Sequence, residues 1–342
     1  MSSPATAPAA TEADWAAAVA ALSTAPRVAL ACHVGPDGDA LGSMLGLGAA
    51  LRARGTEVVA SWGGEPFEVP AAYSFLPALD LLVPAADFPA APELMVTFDS
   101  GSADRLGSLE GRLGEAREVL VIDHHATNTR YGTLNLVEPS AAATAFMVAQ
   151  LLDRMGLPLT AEVAAPLYTG LVTDTGSFKY AATTAEVHEL AARLLATGIR
   201  HDLISRAIWD TQPFSYVSLL GSAMARAVLE PGAVGGLGLA WTTVTADDLA
   251  RAGLGIADVE GVIDVLRVAR EAEVAVVVKQ EPDGSAWRLS MRSKGAVDVG
   301  AVCAALGGGG HRFAAGMTWF GTAEDLVEAL RRALASAPSL PA

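Results

Sequence analysis

The sequence predicts an α/β protein in which a mostly parallel sheet flanked by helices is followed by a second, smaller α/β domain. Three observations carry that expectation. Apolar runs of strand length alternate with longer stretches of helical spacing, three of those runs end abruptly in acidic or imidazole side chains, and the alternation restarts after Pro231-Gly232-Ala233-Val234-Gly235-Gly236. Strands buried on both faces read as unbroken apolar runs, the signature of parallel strands covered by helices. With 342 residues the chain is long enough for two cores.

Residues 1–10 are mostly Ser, Pro, Ala and Thr without periodicity and are expected to form a disordered tail. A helix is expected over 12–22. Arg27 to Cys32 reads as a buried strand, broken by His33-Val34-Gly35-Pro36-Asp37-Gly38-Asp39, where two glycines and a proline impose a loop. Helical spacing over 40–54, stopped by Gly55, and a strand over 56–61 complete a right-handed βαβ unit. Leu94 to Phe98 is the next strand and ends in Asp99-Ser100-Gly101; Glu118 to Ile122 follows and ends in Asp123-His124-His125. Helices are expected over 142–155, 161–173, 183–196 and 213–229, with Asp174 just after the second. The break at 231–236 divides the chain into a first domain over 11–205, a connecting helix and linker over 206–236, and a second domain over 237–342. In the second domain, strands over 237–244, 273–279, 287–293 and 317–320 alternate with helices over 259–270, 297–306 and from Ala323 onward. Gly307-Gly308-Gly309-Gly310-His311 is read as a loop.

Hydrophobic residues make up 51% and charged residues 18%, so a globular chain is expected; the positive mean hydropathy of +0.36 comes largely from alanine. No apolar run has membrane-spanning length and no signal peptide is recognisable, so a cytoplasmic protein is expected, with no membrane partner. Cys32 and Cys303, far apart in sequence, fit a reducing compartment, and Cys32 lies in an apolar run as a small core residue. A net charge of -15 opposes attraction to long duplex nucleic acid. A polyanionic substrate must therefore be short and held locally by metals and a few cationic side chains.

The strand-end groups collect as His33, Asp37, Asp39, Asp99, Asp123, His124 and His125, with Asp174 after a helix. A polar turn is the plainer reading of Asp123-His124-His125 by itself. Five converging carboxylates, however, would repel one another and resist ionisation unless divalent cations were bound. Asp37 and Asp39, two apart, can face two different ions, and Asp99 can bridge them. A pair of ions about 4 Å apart suits an in-line displacement at phosphorus. Mixed imidazole and carboxylate ligation favours Mn2+, with Mg2+ or Co2+ as substitutes.

In this order, His33-x3-Asp37-x-Asp39, Asp99, Asp123-His124-His125, Asp174 and the C-terminal Gly307-Gly308-Gly309-Gly310-His311 resemble the DHH/DHHA1 phosphoesterases over nearly the whole chain from Arg27 to Phe320. Within that family the chain looks most like the short nanoRNase and pAp phosphatase branch. The related RecJ-type exonucleases carry further domains for long single strands. The resemblance implies that His33 and Asp37 bind one ion, that Asp39, His124 and Asp174 bind the other, and that Asp99 bridges. It makes Asp123 an orienter of the imidazoles and turns His125 toward the scissile phosphate. It further implies that Gly308, Gly309, Gly310 and His311, with Arg292 and Ser293 on a neighbouring strand, grip the non-scissile phosphate and terminal nucleotide.

The implied activity is two-metal hydrolysis of very short oligoribonucleotides and removal of the 3'-phosphate of 3'-phosphoadenosine 5'-phosphate (pAp), without a covalent enzyme intermediate. Cyclic di-AMP or linear pApA cleavage is the nearest alternative, since the bond and the metal demand are the same. A nucleotide-binding module without chemistry is the alternative of another class. Members of the family often dimerise through the metal-bearing domain, so the resemblance allows a homodimer. Ser43 and Ser100 lack a nucleophile-elbow context, and no GxxxxGK phosphate loop is present. His188 and His201 belong with helices rather than with the ligand set.

Overall fold

The computed structural model describes residues 7–337 and Leu340, and for His311 the backbone only. Two compact units divide between Thr211 and Gln212. The glycine-rich break at 231–236 is thus not the division. It is a turn of the smaller unit, with Val234 buried in that unit's core. Of the expected tail, residues 1–6 lie outside the described residues. Residues 7–10 do not fit a disordered tail: Ala7 is buried and its N–H donates to the Ala126 carbonyl at 2.7 Å.

The larger unit runs α1 (Glu12–Thr24), β1 (Arg27–Cys32), α2 (Gly38–Ala53), β2 (Glu57–Trp62), β3 (Leu94–Phe98), α3 (Arg112–Glu115), β4 (Glu118–Asp123), β5 (Leu134–Val137), α4 (Thr144–Met155), α5 (Ala161–Asp174), α6 (Ala185–Ala196) and α7 (His201–Trp209). Its five strands are all parallel, in the order β2-β1-β3-β4-β5. The chain goes outward from β1 to β2 and then returns to the other side of β1 with β3. The β1/β3 boundary is therefore the switch point, where open α/β sheets bind ligands at the C-terminal strand ends. Edge strand β5, only four residues long and containing Asn135, was not expected from the sequence.

Helices α2 and α5 cross closely because small residues face each other. A Cβ on Gly42 would lie 2.3 Å from the Pro166 carbonyl oxygen, and one on Gly170 would lie 2.7 Å from Asp39 Oδ1. Only glycine admits that approach. It brings the start of α2, with Asp37 and Asp39, beside the end of α5, with Asp174.

The smaller unit contains α8 (Phe214–Ala225), β6 (Val228–Glu230), β7 (Leu239–Val244), α9 (Ala246–Ala252), α10 (Val262–Leu266), β8 (Val274–Gln280), β9 (Trp287–Ser293), α11 (Val299–Ala305), β10 (Gly309–His311), β11 (Ala314–Trp319) and α12 (Ala323–Ala335). Its mixed sheet has the order β10-β11-β9-β8-β7-β6. The helix expected over 213–229 stops at Ala225, because Val228–Glu230 gains ladder bonds to β7 instead. The glycine run is likewise not wholly a loop: Gly309, Gly310 and His311 form edge strand β10, antiparallel to β11. Val276, Val278, Leu289 and Met291 pack on one face of this sheet, Ala275 and Val277 on the other. Among the described residues no helix is long and apolar enough to cross a membrane.

Candidate metal centre

Sheet register builds the centre. Cys32 pairs with Phe98, and Phe98 with Ile122, so His33, Asp99 and Asp123 are the next residues on three adjacent strands. Beyond that row the backbone turns. Asp99 adopts φ 53°, a left-handed conformation that Asp tolerates better than most residues, and its N–H still donates to the Ile122 carbonyl.

Asp37 and Asp39 sit differently from the expected loop. Asp37 is the N-cap of α2 and accepts the N–H groups of Asp39 and Ala40, while Asp39 lies in the first turn. Two positions apart on a helix, they point to different sides, which serves the expected division between two ions better than a flexible loop would. Asp39 is buried and heavily anchored. Its oxygens accept the N–H groups of Thr144 (2.6 Å) and Ala145 (2.9 Å), the start of α4, and the Ser43 hydroxyl (3.2 Å). Asp174 is the last residue of α5 rather than the residue after it.

The imidazoles are aimed by their second nitrogens. His33 Nδ1 meets the Val34 carbonyl and His124 Nδ1 the Ala141 carbonyl, each at 3.0 Å. A carbonyl only accepts, so each Nδ1 carries the hydrogen and each Nε2 is directed at the carboxylates. His33 Nε2 lies 3.8 Å from Asp37 Oδ2 and 3.6 Å from Asp99 Oδ2; His124 Nε2 lies 3.5 Å from Asp99 Oδ1 and 3.3 Å from Asp174 Oδ2. Asp123 meets His125 directly. Its Oδ1 meets His125 Nδ1 at 2.7 Å and its Oδ2 accepts the Asn128 amide, whereas His124 is held by Ala141.

Among the described residues, three groups offer ligand atoms within 4.8 Å of one another: His33, Asp37 and Asp99; Asp39, His124 and Asp174; and Asp99, His124 and His125. The first two fit the expected ion sites. In the third, the His125 nitrogen facing Asp99, Nδ1, already belongs to Asp123. The electrostatics also suit cations. Burial pushes the Asp39 carboxyl up, and neighbouring Asp99 and Asp174 add to it; burial likewise lifts Asp174 to about 6. Burial disfavours charge on His33 and His124 too, but it is outweighed by Asp37 and Asp99 around His33 and by Asp174, Asp99 and Asp39 around His124, raising both to about 10. Oxygen and imidazole nitrogen donors in such groups match Mn2+, Mg2+ or Co2+ chemistry.

In the smaller unit, Arg292 and Ser293 point to opposite faces of β9, as consecutive strand residues must. Ser293 is buried; its hydroxyl donates to Glu273 at 2.7 Å and accepts the N–H groups of Gly295 and Val297. These bonds hold the turn that follows β9. Arg292 shares its face with Ser290, whose hydroxyl accepts from the buried Lys279 ammonium at 2.9 Å and donates at 3.1 Å to Glu260, the carboxylate that also pairs with Lys279. Register places His311, Ala314 and Arg292 in one row across β10, β11 and β9; the His311 side chain lies outside the described residues. Gly308 approaches β11 so closely that a Cβ would fall 2.4 Å from the Gly316 carbonyl oxygen. Asn128 and Thr144 carried no sequence signal.

Residues 27–171 match the DHH family, N-terminal domain, and residues 248–337 match the DHHA1 domain. The chain is 36% identical over 307 residues to the bifunctional oligoribonuclease and PAP phosphatase NrnA of Thermus thermophilus, covering 89% of this chain and 87% of that one. It is 27% identical to the protein of the same name from Bacillus subtilis over 83% of this chain and 86% of that one. An exopolyphosphatase-related protein from Bacteroides fragilis has the same fold, with a TM-score of 0.85 at 23% identity over 95% of this chain and 96% of that one.

Proposed function

This chain belongs to the DHH/DHHA1 family, and from that premise we propose that it is a two-metal phosphoesterase acting on very short oligoribonucleotides and on pAp. The substrates are those in the names of its relatives from Thermus and Bacillus. The observation that carries the reading is the placing of Asp99, whose two oxygens face two imidazoles of two different ligand groups. His33, Asp37 and Asp99 would hold one Mn2+, and Asp39, His124, Asp174 and again Asp99 the other. Bound there, two divalent cations would neutralise charge on a phosphoryl group and lower the pKa of a water.

The chain's own residues divide the remaining work. His125, with Nδ1 held by Asp123, faces the scissile phosphate and donates a hydrogen bond or moves a proton at the leaving oxygen. In the smaller unit, Arg292, with the row of His311 and the glycine backbone of 308–310, holds the non-scissile phosphate. Both cysteines are free and buried, which supports a reducing cytoplasm as the site of action.

The purified protein with Mn2+ should release mononucleotides from a five-nucleotide RNA and phosphate from pAp, and Asp99→Ala should abolish both. Cyclic di-AMP and pApA belong in the same assay. Turnover of those alone would replace this reading with a cyclic dinucleotide pathway, and tight nucleotide binding without turnover in Mn2+, Mg2+ or Co2+ would leave a binding module.

A further inference from the structure

Thr144 is fully buried at the first turn of α4, and it touches Asp39 of the second ligand group and Asp99, the carboxylate between the two groups. Its N–H donates to Asp39 Oδ2 at 2.6 Å, and its hydroxyl donates to Asp99 Oδ1 at 3.1 Å. We infer that Thr144 is a positioning residue that fixes how Asp99 is shared between the two metal groups. This rests on the two-metal reading above.

The argument is one of rotation. Asp99 serves both groups only while its carboxylate plane spans them, Oδ2 toward His33 at 3.6 Å and Oδ1 toward His124 at 3.5 Å. A carboxylate turns readily about its last bond. The Thr144 hydroxyl stops that turn by holding Oδ1. It is neutral, so it takes one lone pair without cancelling the charge a cation would need, and its own position is fixed because the same residue's N–H is tied to Asp39. Partners behind metal ligands commonly set affinity 10- to 100-fold, by about that factor when removed.

Ser and Ala at position 144 differ by one hydroxyl and both lack the methyl, so the pair separates hydrogen bonding from packing. Both keep the N–H to Asp39. Calorimetric titration of the metal-free protein with Mn2+ alone should show two equivalents for wild type and Thr144→Ser. Thr144→Ala should keep one equivalent and bind the other about 10- to 100-fold more weakly. Equal Mn2+ binding by the Ser and Ala variants overturns the inference, as does equal weakening of both equivalents in Thr144→Ala. Thermal unfolding of the metal-free variants checks that each is folded. A wild-type chain that takes up no Mn2+ overturns this inference and the proposed function together, whereas one that binds two ions and hydrolyses nothing overturns the function alone.

Discussion

His125 Nδ1 lies 2.7 Å from Asp123 Oδ1, and the second oxygen of that carboxylate accepts the amide of the buried Asn128. One carboxylate thereby serves two donors. In Asp123→Asn the side chain offers a single oxygen, so either His125 or Asn128 loses its acceptor. Turnover should fall about 10²- to 10⁴-fold, the usual worth of a positioned acid or base, with both ions retained. His125→Ala should behave alike. His124→Ala should instead lose metal, and steady-state rates combined with Mn2+ titration tell the two cases apart.

Metal uptake should strengthen with pH. His33 and His124 are raised to about 10 in the metal-free chain: burial opposes the charge, but the Asp residues around each outweigh it. Both imidazoles are then protonated at neutral pH, and an arriving cation must displace those protons. Calorimetry in two buffers of different ionisation enthalpy should report proton release, with affinity climbing from neutral pH toward 10. The metal-free protein carries the opposite dependence. Folded pKa values above the unfolded 6.5 give stability that is complete below about pH 6.5 and is lost as pH rises through 10.

Gly42→Ala tests the helix crossing. The new Cβ would sit 2.3 Å from the Pro166 carbonyl oxygen and 2.9 Å from Gly170 N, both backbone atoms of α5. The helices must separate, at a cost of about 1–3 kcal/mol or more. Because Asp39 and Asp174 ride on those two helices, binding at the Asp39, His124 and Asp174 group should weaken beyond what the drop in melting temperature explains. Unfolding scans with and without Mn2+ measure both effects.

Arg292 and Ser293 should separate cleanly on substitution. Arg292→Ala should raise KM for pAp with little change in melting temperature. Ser293→Ala leaves the N–H groups of Gly295 and Val297 without their acceptor and takes one of its donors from Glu273, and should cost about 1–3 kcal/mol of stability, with KM near wild type in the folded fraction.

Much of the larger unit was legible because its signals are local. Unbroken apolar runs marked β1, β3 and β4, and the ligands stand at their ends. The edge strands β5, β6 and β10 were not, since three or four residues gain their strand character from a neighbour's ladder rather than from their own pattern. The candidate ligands were legible as residue types, but their supports were not. Which partner aims His124 depends on the Ala141 carbonyl, a backbone group that every residue possesses, and Thr144 reaches Asp99 across 45 positions of chain. The hydrogen bonds of Ser293 to Glu273, Gly295 and Val297 were not legible, because two of them end on backbone N–H groups and the third crosses 20 positions of chain.

The row of His33, Asp99 and Asp123 follows from how β1, β3 and β4 are paired. A slip of one residue in β3 would bring Phe98 or Ser100 into that row and turn its apolar side chains to the wrong layer at the same time. A chain with β3 out of register therefore loses the row, and the return of divalent-cation binding during refolding should act as a clock for the moment the parallel strands lock into alignment.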